Sequence, residues 1–168
     1  MTISATYHRR TLCLALALSA ALCAPALAQP ATAPAEQAAG QVQGWRSLSD
    51  IATHLAENGF RVLEMEVERD GYDAELVDRD GNILDARVSP ATGELLRSRS
   101  KGRATQPADP KWKTVAQIAG LLEKQGYIVR KVETESEGYE VELTDRTGRR
   151  LEARVNPMTG DITHSELD

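Results

Sequence analysis

The stretch 71–95, GYDAELVDRDGNILDARVSPATGEL, lies without a gap over 138–162, GYEVELTDRTGRRLEARVNPMTGDI. The match extends outward until 45–98 covers 112–165 at a constant offset of 67, with about 23 of the 54 aligned positions identical. Agreement on that scale marks an internal repeat, so the fold question reduces to one short unit used twice.

Within the unit the apolar residues alternate. Tyr72, Ala74 and Leu76 describe one strand and Leu84, Ala86 and Val88 the next, matched by Tyr139, Val141, Leu143 and by Leu151, Ala153, Val155. The connection between them sets the register. A two-residue loop at Asp80 and Gly81 places Leu76 opposite Asp85 and mixes charge into an apolar face. A three-residue loop of Arg79, Asp80 and Gly81, with Gly81 left-handed, places Leu76 opposite Leu84 and Ala74 opposite Ala86, and is preferred.

Upstream, Ser47 followed by Asp50, and Thr114 followed by Gln117, have the spacing of a capping box. Leu48, Ile51, Ala52 and Leu55 recur at helical intervals, as do Val115, Ile118, Ala119 and Leu122, and Gly59 and Gly126 supply the stops. Each helix is therefore about three turns long with one buried face. Phe60 and Val62, then Met65 and Val67, slip phase by one residue, and Tyr127, Val129, Val132 and Thr134 slip at the same place, which predicts a β-bulge in both copies. SPATGEL and NPMTGDI read as turns into a short fourth strand carrying Leu95 or Ile162. The expected fold class is α+β: two tandem α-β-β-β(-β) modules, each one helix packed on a small antiparallel sheet. A unit of this size buries only roughly 60% of its unfolded surface, so the copies could pack together, while the linker also permits two independent beads.

The flanking sequence gives the organisation. His8, Arg9 and Arg10, the Leu/Ala run from Leu12 to Leu22 and the Ala26-Leu27-Ala28 site form a signal peptide over 1–28, with cleavage expected after Ala28. The apolar run is broken by Pro25 and is too short for a membrane anchor, and Leu22 directly before Cys23 is unlike a lipidation site. Residues 29–44 have the Ala/Gln/Pro composition of a flexible tether, 45–98 form repeat 1, 99–111 with Gly102, Pro107 and Pro110 a linker, and 112–168 repeat 2.

Cys13 and Cys23 leave with the signal, so the mature chain has no disulfide and no thiol nucleophile. Losing Arg9 and Arg10 moves the formal charge from -5 to about -7, which argues against nucleic acid and anionic membranes as partners. Asp78, Asp80 and Gly81 resemble part of a calcium loop, but Leu76 and Arg87 stand at the first and last ligand positions and Thr147 replaces Asp80 in the second copy. His54 and His164 have no companion His or Cys at ligand spacing. No serine elbow or phosphate loop is present, so the chain is read as a non-enzyme that needs no metal and no cofactor. Two sets of side chains remain as candidate partner contacts. Glu75 and Arg87, with Glu142 and Arg154, project from the outward face of the strands, where cross-strand charge pairing is the simpler role. Trp45 and Trp112 precede the helix caps, where packing over the helix start is the simpler role.

The order of capped helix, GY strand, DxxG hairpin, alternating strand and xPxTG[ED] turn, given twice, resembles the PepSY domain family. The resemblance implies an extracytoplasmic, non-enzymatic module of helix and antiparallel sheet. It also implies a regulatory or peptidase-inhibiting role, which in a chain with no protease domain has to be exerted in trans. The expected partner is another periplasmic or secreted protein, and the alternative is a small molecule or envelope component held between the two modules. The sequence does not set the oligomeric state.

Overall fold

The computed structural model describes residues 44–105 and 109–168. The expected signal peptide at 1–28, and all of the tether except Gly44, lie outside the described residues. In chain order the elements are α1 (Leu48–Glu57), β1 (Arg61–Glu68), β2 (Gly71–Val77), β3 (Asn82–Val88), β4 (Leu95–Arg103), α2 (Val115–Lys124), β5 (Ile128–Thr134), β6 (Tyr139–Thr144), β7 (Arg150–Val155) and β8 (Ile162–Leu167).

Each helix starts at the expected acceptor. The Ser47 hydroxyl accepts from the Asp50 N–H at 3.2 Å. In α2 the box closes both ways: Thr114 Oγ1 accepts from the Gln117 N–H, and Gln117 Oε1 accepts from the Thr114 N–H. Each helix stops at its glycine, where φ is +91° at Gly59 and +93° at Gly126. A side chain there meets a second obstacle, because a Cβ at Gly59 falls 2.1 Å from Arg79 Nε and one at Gly126 falls 2.2 Å from Arg146 Nε. Those arginines donate to the carbonyls of Asn58 and Gln125 at the helix ends. The Asp-Arg pair common to both hairpins is thereby explained. The arginine holds the helix terminus, and the aspartate folds the turn, with Asp78 Oδ1 accepting from the Asp80 and Asn82 N–H groups and Asp145 Oδ1 from those of Thr147 and Arg149. The side-chain bonds from Asn82 and from Thr147 lead the effects that hold these two carboxyls well below the usual carboxylate range.

The register is the one chosen from the pattern: Leu76 lies opposite Leu84 and Ala74 opposite Ala86, and Gly81 has φ +82°. The ladder slips between Val62 and Glu64 and between Val129 and Lys131, so the bulge occurs in both copies.

The α+β class holds, but the expected pair of separate small sheets does not. All eight strands belong to one antiparallel sheet in the order β4-β3-β2-β1-β5-β6-β7-β8. The join is β1 against β5, with Met65 opposite Val132, Glu64 opposite Glu133 and Glu66 opposite Lys131. Met65 and Val132 are equivalent residues of the two copies, so a pseudo-twofold axis passes between them. Both helices cover the same face and pack on one another, Ser49 facing Gly120. One core runs through both copies, from Leu48, Ile51 and Leu55 to Ile118, Leu122 and Leu143.

A second difference concerns 99–103, read as the start of the linker, which instead continue β4. Their basic side chains alternate onto the open face and pair with the neighbouring strands, Arg99 with Asp85 at 2.9 Å and Lys101 with Glu75 at 2.5 Å. Among the described residues no helix is long and apolar enough to cross a membrane.

Gly81 isolates the cost of the turn conformation, because a Cβ at this position would meet only Arg103 Nη2, at 3.9 Å. Gly81→Val is expected to cost about 1 kcal/mol or more through backbone strain alone. That corresponds to a melting temperature lower by about 3–5 °C; an unchanged thermal transition would refute the left-handed turn.

Candidate functional site

A twofold arrangement of two repeats creates two related clefts where the end of one helix approaches the start of the other. They are not alike. In one, Glu123 near the end of α2 reaches the start of α1, where Oε1 accepts from the Ser49 N–H at 3.2 Å and Oε2 accepts from the Ser49 hydroxyl. That bridge spans the cleft.

At the related cleft the repeat offset puts Ala56 in place of Glu123 and Ala116 in place of Ser49. Neither methyl can bridge, and a groove of about 840 Å³ lies between the repeats there. Its base includes Ala52 and Val115, both buried, and its walls include Phe60, Val62, Leu63 and Trp112. Its charged and polar lining comes from Arg61, Lys113, Thr134, Glu135 and Tyr139, together with Thr105 and Asp109 of the inter-repeat connection. A volume of this size with apolar walls and a few polar groups is what ligand sites commonly provide.

The aromatic residues that frame the clefts are fixed by pairs of contacts. Trp112 packs on Tyr139 with centroids 5.9 Å apart, and the Tyr139 hydroxyl donates to the Lys113 carbonyl. In the other copy Trp45 packs on Tyr72 at 5.7 Å, and the Tyr72 hydroxyl donates to the Arg46 carbonyl at 2.8 Å. Burial, followed by the charge of Glu123, pushes the Tyr72 phenol up to about 12, while burial raises that of Tyr139. The packing expected of the two indoles is present, and Trp112 alone of the pair lines the groove.

The other four sequence candidates lie on the opposite, open face. Glu75 pairs with Lys101, and Arg87 pairs with Asp73 at 2.7 Å and with Asp70. Glu142 is aligned with Lys131 and Glu152, and Arg154 with Glu140 and His164. The six candidates therefore divide between two faces and form no common site. At the middle of the open face Lys131 Nζ lies 2.6 Å from Glu133 and 3.2 Å from Glu64, and its ammonium is held above its ordinary range chiefly by the bond to Glu133. Among the described residues no group of three His, Cys, Asp or Glu side chains is placed to hold a metal ion.

A site between the two modules was one of the expected alternatives, but sequence reasoning missed the residues that form it, because Ala56, Leu63 and Ala116 carry no chemical signature alone. The signal that could have found them is comparative: at these positions one copy is small or apolar where the other has Glu123, Arg130 and Ser49.

A duplicated helix-on-sheet module with one cleft bridged and the other open fits a regulatory or binding module. The family described as peptidase propeptide and YPEB domain, PepSY_2, matches residues 14–99 and 102–166, and the chain belongs to that family. Such domains are in general propeptide or regulatory modules. Among solved structures the chain is similar to a candidate lipoprotein from Clostridium difficile 630, at 16% identity and a TM-score of 0.43, over 71% of this chain and 90% of that one. No curated protein matches the chain.

The aromatic frame has a measurable consequence. A phenol whose pKa is raised by folding contributes stability that is complete below about pH 10 and is lost as the pH rises through the folded value. Phenolate absorbance should therefore show Tyr72 ionising near 12, together with the loss of folded structure. Ionisation of every tyrosine near 10 with the fold intact would contradict the packing described.

Proposed function

We propose that this chain is an extracytoplasmic, non-catalytic binding module that recognises a segment of another exported protein through the groove between its repeats. The observation that carries this reading is the asymmetry of the two clefts. The residues shared by the copies account for the fold: Asp78 and Arg79 with their mates build the hairpin and helix end, Tyr72 and Tyr139 brace the helix starts, and the glycines terminate the helices. The residues that differ at the clefts, Ala56 for Glu123 and Ala116 for Ser49, leave one cleft unbridged. A bridge made in one cleft and absent from the other leaves the second open to an occupant, which supports this reading.

Family membership supports a regulatory partner, and a peptidase acted on in trans is the specific form this takes. The volume of the groove supports a second reading, in which a small molecule or envelope component occupies the same place. The open face, with Glu75, Arg87, Glu142 and Arg154, is the competing surface for a protein partner, but several of its charges are already engaged with neighbouring strands.

Photo-crosslinking separates the surfaces. With p-benzoyl-phenylalanine placed at Ala56, at Ala116 or at Glu142 in the full chain in its native compartment, the two groove positions should give the same discrete crosslinked species and position 142 should not. Discrete products from position 142, with none from positions 56 and 116, would transfer the binding role to the open face.

A further inference from the structure

The eight-stranded sheet ends in two free edges, β4 and β8, which are equivalent strands of the two repeats. A free edge presents a row of unpaired N–H and C=O groups that another strand can meet. The ladders locate those groups. The Asp78 N–H donates to the Asn82 carbonyl, and alternation along the β2–β3 ladder turns the backbone groups of Leu84 and Ala86 towards β2. Ser98, opposite Ala86, therefore directs its own N–H and C=O away from β3. In the second copy the Asp145 N–H donates to the Arg149 carbonyl, and the same alternation leaves Ser165, opposite Ala153, facing away from β7.

The side chains of the two edges differ in sign. Arg97 and Arg99 on β4 stand where β8 has His164 and Glu166. Within the sheet Arg97 lies opposite Arg87 and Glu166 opposite Glu152, so each edge sets a charge beside its like. Arg87 is engaged by Asp70 and Asp73, and Arg99 by Asp85. The edges also carry two of the three large apolar side chains left exposed among the described residues. These are Leu96, 62% exposed, and Leu167, 64% exposed, where the other copy has Thr163 and Ser100.

We propose that β4 of one copy of this chain pairs antiparallel with β8 of a second copy, so that the sheet continues from molecule to molecule. With Ser98 opposite Ser165 of the second copy, the outward backbone groups of both edges are satisfied. The same register sets Leu96 against Leu167, Arg97 against Glu166 and Arg99 against His164. Register shifts at Leu96 and Lys101 on β4, and at Thr163 on β8, confine the contact to 96–100 and 163–167. Ser98 and Ser165 are equivalent residues, as Met65 and Val132 are at the internal join, so the contact repeats between molecules the relation that unites the repeats within one. Pairing β4 with β4 about Ser98 would instead set Arg97 against Arg99, which like charge disfavours. A contact between two different edges is heterologous and leaves one free edge of each kind for further copies. No residue of 96–100 or 163–167 lines the groove between the repeats, so that reading stands or falls separately.

Sedimentation equilibrium of the full chain at low ionic strength tests the contact. The mass should grow with concentration, and added salt should reduce it. Arg97→Glu and Glu166→Arg should each lower the association constant by about tenfold. The two together exchange the charges without removing them and should restore it to within about threefold of the parent. Each single substitution also relieves a like-charged pair within its own sheet, so the melting temperature, measured alongside, should not fall. A chain that stays monomeric up to about 1 mM would overturn the proposal, as would association that neither substitution weakens. Loss with Glu166→Arg but not with Arg97→Glu would mean that β8 pairs with itself, and failure of the double variant to recover would overturn the register.

Discussion

The pairing of β1 with β5 is the constraint on which the rest of the molecule depends. It places Met65 against Val132, equivalent residues that are both fully buried, and makes one sheet from what would otherwise be two four-stranded units. A unit of that size is marginal alone, whereas a shared core from Leu48 to Leu143 buries both helices against a common surface. Truncating a buried residue such as Met65 typically removes about 2–5 kcal/mol, a large part of the stability of a chain this size. The join also has an electrostatic condition. Had repeat 2 kept glutamate at position 131, as repeat 1 has at Glu64, four carboxylates would meet at the centre of the open face. Lys131 relieves that repulsion by pairing with both Glu64 and Glu133.

Much of each repeat was legible because its determinants are local. Alternation fixed the Leu76–Leu84 register, the phase slip located the bulge beyond Val62, and Ser47, Thr114, Gly59 and Gly126 marked the helix ends. The union of the repeats was not legible, because edge-to-edge pairing is made by backbone hydrogen bonds that any side chains can accompany. The exchange of Glu64 for Lys131 was its one trace. The length of β4 was hidden for a related reason: Arg97, Ser98, Arg99, Ser100 and Lys101 are all exposed, so the strand has no hydrophobic period and resembles a polar linker.

The site was less legible than the fold. Charged and aromatic residues attracted attention, yet Glu75 and Arg87 are engaged across the sheet, and Trp45 and Trp112 are braced on tyrosines. The groove owes its existence to alanines, visible only beside the glutamate and serine of the other cleft. Identity between the copies marks what each unit needs to fold, as at Asp78 and Asp145, whereas Ala56 for Glu123 and Ala116 for Ser49 are the differences that set the two clefts apart. The shared core holds the two clefts in a fixed relation, so that Ala56 and Ala116 stay apart from any bridging partner.

The two tryptophans provide one reporter in each repeat, and they allow the central claim to be tested directly. Thermal unfolding of the full chain should be followed by Trp45 fluorescence in a Trp112→Phe background and by Trp112 fluorescence in a Trp45→Phe background, each with and without Val132→Ala. If the join makes one cooperative unit, Val132→Ala lowers both transitions by the same amount, although Val132 lies in repeat 2 and Trp45 in repeat 1. A shift confined to the Trp112 signal, with the Trp45 transition unmoved, would show that the repeats unfold separately and would contradict the account.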